Sequence, residues 1–60
     1  MITVFRFQVF DQSIGRWIME LSKGTASRVA ALKGRVVEGS DEQVAPSMID
    51  DEGRYVPFTR

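Results

Sequence analysis

The 60-residue chain has no cysteine, no histidine and only two prolines, and none of its apolar runs exceeds a few residues. The missing cysteine removes disulfides and a thiol nucleophile. Without histidine as well, an imidazole base and the usual zinc ligand sets are gone. No stretch is long enough to cross a bilayer, and MITVFRF does not lead from a basic segment into an apolar one. The chain therefore reads as neither signal peptide nor membrane anchor, and a soluble, cytoplasmic, bacterial-type protein is expected. A one-signed charge is also lacking, since formal net charge is zero. That zero hides a segregation. Residues 1–37 carry six basic side chains against two acidic ones, and residues 38–60 six acidic against two basic, so the halves stand at +4 and −4. The simplest expectation is that the acidic half folds back on the basic half.

What is present is a globular hydrophobic content of 43%, too high for a disordered tail. Residues 3–10 alternate Thr3, Phe5, Phe7, Val9 against Val4, Arg6, Gln8, Phe10, and residues 16–22 alternate Trp17, Met19, Leu21 against Ile18, Glu20, Ser22. Period-two patterns of aromatic and β-branched residues predict strands. Between them DQSIG supplies turn chemistry, so a hairpin is expected. A five-residue loop, Asp11 to Gly15, would pair Val9 with Trp17, Phe7 with Met19 and Phe5 with Leu21, with Arg6 opposite Glu20 on the other face.

Beyond the hairpin, Thr25 is placed to cap a short helix, ASRVAALK, closed by Gly34 in a left-handed conformation. RVVE, residues 35–38, predicts a third strand beside the hairpin. Ser40 and Gln43 have capping-box spacing, Asp51-Glu52-Gly53 predicts a tight turn, and Pro57 confines the last segment to an edge or tail. The expected fold is a single small α+β domain of ββαβ order: an antiparallel sheet of about three strands with one short helix on one face. Residues 3–38 form its hairpin, helix and third strand, and residues 39–60 an acidic, turn-rich C-terminal segment. The expected core is Phe5, Phe7, Val9, Trp17, Met19, Leu21, Val29, Leu32 and one of Val36 or Val37.

The opposite sheet face would carry Ile2, Val4, Arg6, Gln8, Phe10, Ile18 and Glu20, more hydrophobic than a solvated face. Two coverings fit it: the chain's own C-terminal residues Met48, Ile49, Tyr55, Val56 and Phe58, or a second chain, either another copy or a different protein. Val4, Gln8, Phe10 and Ile18 are the candidate association residues. Arg16, Lys23, Arg28, Lys33 and Arg35 form a second candidate set, for nucleic-acid phosphates or guanine edges, although no helix-turn-helix or RNP-like pattern accompanies them. Asp50-Asp51-Glu52 lacks calcium-loop spacing and reads as a solvated turn. Ser13, Ser22, Ser27, Tyr55 and the carboxylates have no histidine or cysteine to activate them, so neither a catalytic residue nor a cofactor or metal site is assigned.

The succession FRFQVFDQSIGRW, TASRVAALKGRVVEGSDEQV and IDDEGRYVP resembles a group of short uncharacterised bacterial proteins, through Phe7, Asp11, Gly15, Trp17, Thr25, Gly34, Gly39, Val44, Asp50, Gly53 and Tyr55. That resemblance implies no activity. The order hairpin-then-helix is also similar to antitoxins of the HicB kind and to arm-binding domains of phage integrases, as an analogy of topology alone. The expectation is a non-catalytic binding protein that self-associates or is accessory to another protein. The alternative is a nucleic-acid-binding or antitoxin-like regulator that uses the basic half.

Overall fold

The strand that opens the chain is broken once, at Arg6, and the break organises the molecule. The computed structural model describes residues 1–57. It places β1 at Ile2–Phe5, β2 at Phe7–Asp11, β3 at Arg16–Met19, β4 at Gly24–Thr25, α1 at Ala26–Ala31, β5 at Arg35–Val36 and β6 at Glu42–Val44, with a single 3-10 turn at Pro46–Met48. Two three-stranded antiparallel sheets result, ordered β4-β1-β6 and β3-β2-β5. The α+β class and the short helix are as expected, with the strands divided between two small sheets. Among the described residues no helix is long and apolar enough to cross a membrane.

At Arg6 the backbone turns to the segment after β5. Its amide donates to Ser40 Oγ at 3.0 Å and its carbonyl accepts from Val37 N at 2.9 Å. Ser40 also donates to the Val37 carbonyl at 2.6 Å. The expected capping box is therefore replaced: Ser40 fastens the bend, and Gln43 lies in β6, opposite Thr3.

The bend explains why the two fully buried side chains, Val4 and Phe7, are three residues apart. On one continuous strand they would point to opposite faces. Here one belongs to each sheet, and they share a core with Val29 and Val44. Each is worth about 1.5–3 kcal/mol of burial. The Phe7 ring lies between two glycines: a Cβ on Gly24 would come within 3.0 Å of Cε1, and one on Gly34 within 2.7 Å of Cδ2.

The helix begins as expected, with Thr25 Oγ1 accepting from Arg28 N at 3.2 Å. Its end differs. Lys33, not Gly34, takes the left-handed conformation at φ 54°. The bonds Lys33 N to Ala30 O (3.1 Å) and Gly34 N to Val29 O (2.8 Å) complete a Schellman closure. Gly34 is required for its closeness to Phe7 rather than for its φ.

The acidic half does fold back on the basic half. Lys23 Nζ meets Glu42 Oε1 at 2.8 Å, and Arg28 Nη1 lies 3.8 Å from Glu52 Oε1 and donates to the Glu52 carbonyl at 3.1 Å. The chain then runs antiparallel to β4, with Gly24 bridged to Arg54 and Tyr55 N donating to Lys23 O at 2.8 Å. The predicted turn at 51–53 forms, with Gly53 at φ 83°. Asp50 staples it: Oδ1 accepts from the amides of Glu52 and Arg54, both at 2.9 Å, and Oδ2 from Arg54 Nε at 2.8 Å.

Candidate association surface

The hairpin register decides which side chains face outward. Observed partners are Gln8–Met19, Val9–Ile18, Phe10–Trp17 and Asp11–Arg16, one residue away from the expected pairing of Val9 with Trp17 and Phe7 with Met19. The cause is the loop. Asp11 is a strand residue whose carbonyl accepts from Gly15 N at 2.7 Å and Ile14 N at 3.3 Å. Its Oδ1 accepts from the Ser13 amide at 2.9 Å and hydroxyl at 2.6 Å. These bonds, the hydroxyl's above all, hold the Asp11 carboxyl below its ordinary pKa. The loop is thus four residues, Gln12 to Gly15, and a one-residue change of register turns every β3 side chain over.

Two expectations fail as a result. Trp17, Met19 and Leu21 leave the core: Trp17 and Met19 are exposed and Leu21 is 100% exposed. Leu32, also expected inside, is exposed too. The association set divides as well. Val4 is wholly buried between β4 and β6 and is a core residue. Ile18 pairs with Val9, on the face opposite Gln8 and Phe10. Gln8 and Phe10 stay together on the outer face, now joined by Trp17 and Met19. The residues that the alternation mislaid, Trp17 and Met19, are the largest additions to the surface. The D-x-S-x-G spacing was the signal for the shorter loop.

On that outer face the rings of Phe10 and Trp17 meet edge to face, with centroids 5.7 Å apart. From β5, in register with Gln8, Arg35 reaches across β2 so that its guanidinium carbon lies 4.2 Å from the Trp17 ring centroid. Phe10 nevertheless remains 48% exposed and Trp17 37%. The C-terminal segment runs beside β4, so its described residues leave these rings open; Phe58 lies outside the described residues. Tyr55, Val56 and Pro57 instead line an open groove of about 560 Å³ with Arg6, Leu21, Ser22 and Lys23.

The basic set is split in the same way. Lys23 and Arg28 are engaged by Glu42 and Glu52. Arg16, Lys33 and Arg35 form no ion pair among the described residues and sit on or beside the second sheet. The face combines flat aromatic area, a flexible thioether and a stacked guanidinium. Comparison with protein-family models, curated proteins and solved structures finds no match to the chain.

Proposed function

We propose that the chain is a small non-catalytic interaction module that associates with protein, including its own copies, through the second sheet. The observation that carries this reading is the Phe10–Trp17–Arg35 cluster, whose rings stay partly exposed on the outer face of the second sheet. Trp and Arg are the residue types that dominate binding energy at protein interfaces, and a sixty-residue domain gains stability by covering such a face. Stacked nucleobases are the second fit, since aromatic rings with arginine on a small sheet also bind single strands. Two of the five candidate basic residues are held in ion pairs within the chain and a third, Arg35, is stacked on Trp17, which favours protein. Sedimentation velocity over a hundredfold concentration range tests the reading. The expected result is a concentration-dependent rise in sedimentation coefficient. A chain that stays monomeric throughout but binds a mixed oligonucleotide pool at low salt, and releases it as salt rises, would put the nucleic-acid reading in its place.

A further inference from the structure

We infer that two copies join through the free edge of β3, running antiparallel about a two-fold axis through Ile18, so that the two second sheets become one. This inference rests on the self-association proposed above and assigns it to the edge of the second sheet, leaving the aromatic face available for a further contact. β3 is an edge strand, exposed at all four residues. It has no proline, no lysine and no bulge, and its one charged residue, Arg16, stands at its start.

The direction of its backbone groups follows from its inner pairing. Glu20 N donates to Phe7 O at 2.9 Å. Antiparallel partners alternate between bonded and non-bonded pairs, so Glu20, Ile18 and Arg16 turn their amides and carbonyls to β2. Trp17 and Met19 turn theirs to the open edge. Two-fold pairing centred on Ile18 sets Trp17 opposite Met19 of the second copy, and Met19 opposite its Trp17. All the outward groups of both residues are then used, in four hydrogen bonds.

The side chains agree with that register. The segment Arg16-Trp17-Ile18-Met19-Glu20 is self-complementary when read against its own reverse. Arg16 falls opposite Glu20 of the second copy, once on each side of the axis, and neither has an ion-pair partner among the described residues. Opposite charges directly across a strand pair attract. Ile18 meets its own copy at the axis, and each Trp17 meets a Met19 sulfur, a favourable contact. A shift of two residues either way brings Trp17 onto Trp17 or Met19 onto Met19 and leaves Arg16 and Glu20 without opposite charges. The joined sheet would run β5-β2-β3-β3-β2-β5 and place both Phe10–Trp17–Arg35 clusters on one face.

The test combines charge exchange with cross-linking, each variant first checked for folding by circular dichroism. Arg16→Glu sets like charges opposite at both ends and should weaken association about tenfold or more, as should Glu20→Arg. The double variant Arg16→Glu/Glu20→Arg restores the pairs and should restore association. Independently, Ile18→Cys should oxidise with diamide to a disulfide-linked dimer. Facing Cα atoms of a non-bonded antiparallel pair lie about 4.5 Å apart, within disulfide reach. Phe10→Cys should not cross-link. An associating parent whose affinity ignores both charge reversals, with Phe10→Cys cross-linking and Ile18→Cys not, overturns the edge pairing and leaves self-association standing. A parent that remains monomeric overturns both. If a charge variant unfolds, the Ile18→Cys and Phe10→Cys pair decides alone.

Discussion

Replacing Gly34 with alanine adds one methyl group where the structure has no room for it. The new carbon would lie 2.7 Å from Phe7 Cδ2 and 3.1 Å from the Gln8 carbonyl oxygen. The ring is held on its other side by Gly24, and the carbonyl belongs to a central strand, so neither neighbour yields easily. Overpacking of this kind costs about 1–3 kcal/mol. Because Gly34 has an ordinary φ, alanine also gains about 0.4–1 kcal/mol by restricting the unfolded chain. The net loss is about 1–2 kcal/mol, against a total near 3–9 kcal/mol for sixty residues. Thermal unfolding followed by circular dichroism, at one fixed protein concentration, should show a midpoint lowered by about 5–15 °C. A second substitution, Phe7→Leu, removes the ring edge that clashes. The double variant should therefore be less destabilised than the sum of the singles, by at least about 0.5 kcal/mol. A Gly34→Ala variant that melts at or above the parent temperature would show that Phe7 is not wedged between the glycines.

Val4→Ala should cost about 1–2 kcal/mol, because the side chain is wholly buried, whereas Leu21→Ser should stay within about 0.5 kcal/mol of the parent; urea titration of both separates core from surface. Lys33→Gly relieves a left-handed residue with a side chain and should stabilise by roughly 1 kcal/mol in the same assay. The Asp50 carboxyl is held below its ordinary value of 3.8, first by the Arg54 amide and then by the Arg54 guanidinium. Its contribution is therefore present above that value and fades as pH falls through the lowered one. Melting temperatures taken down an acid series should drop less steeply for Asp50→Asn than for the parent.

Local chemistry makes much of this fold legible in the sequence. Thr25 capping a helix and a turn at Asp51-Glu52-Gly53 each depend on neighbours in the chain, and the β-branched run in RVVE marks a strand whose partner, β2, lies far earlier. The sheet faces are not legible in the same way, because alternation says which residues share a face only while a strand stays whole and its register is known. Arg6 breaks the first condition: Ser40 and Val37, more than thirty residues later, take its backbone bonds and bring Val4 and Phe7 into one core from opposite phases. The Asp11–Ser13 bonds break the second, shortening the loop by one residue and sending Trp17 and Met19 outward. The candidate surface was therefore half visible. Gln8 and Phe10 could be placed on an open face from the pattern, but the tryptophan and arginine that make it adhesive required the true register and the position of β5.

The account centres on an unpaired β3 edge that a second copy completes, and amide hydrogen exchange at Trp17 and Met19 tests it most directly. In an isolated chain both amides point into solvent, while Ile18 is already bonded to β2. Exchange measured by NMR at low and high protein concentration should show protection of Trp17 and Met19 rising with concentration and Ile18 protected at both. Fast exchange at Trp17 and Met19 at every concentration at which the protein is associated would contradict the account.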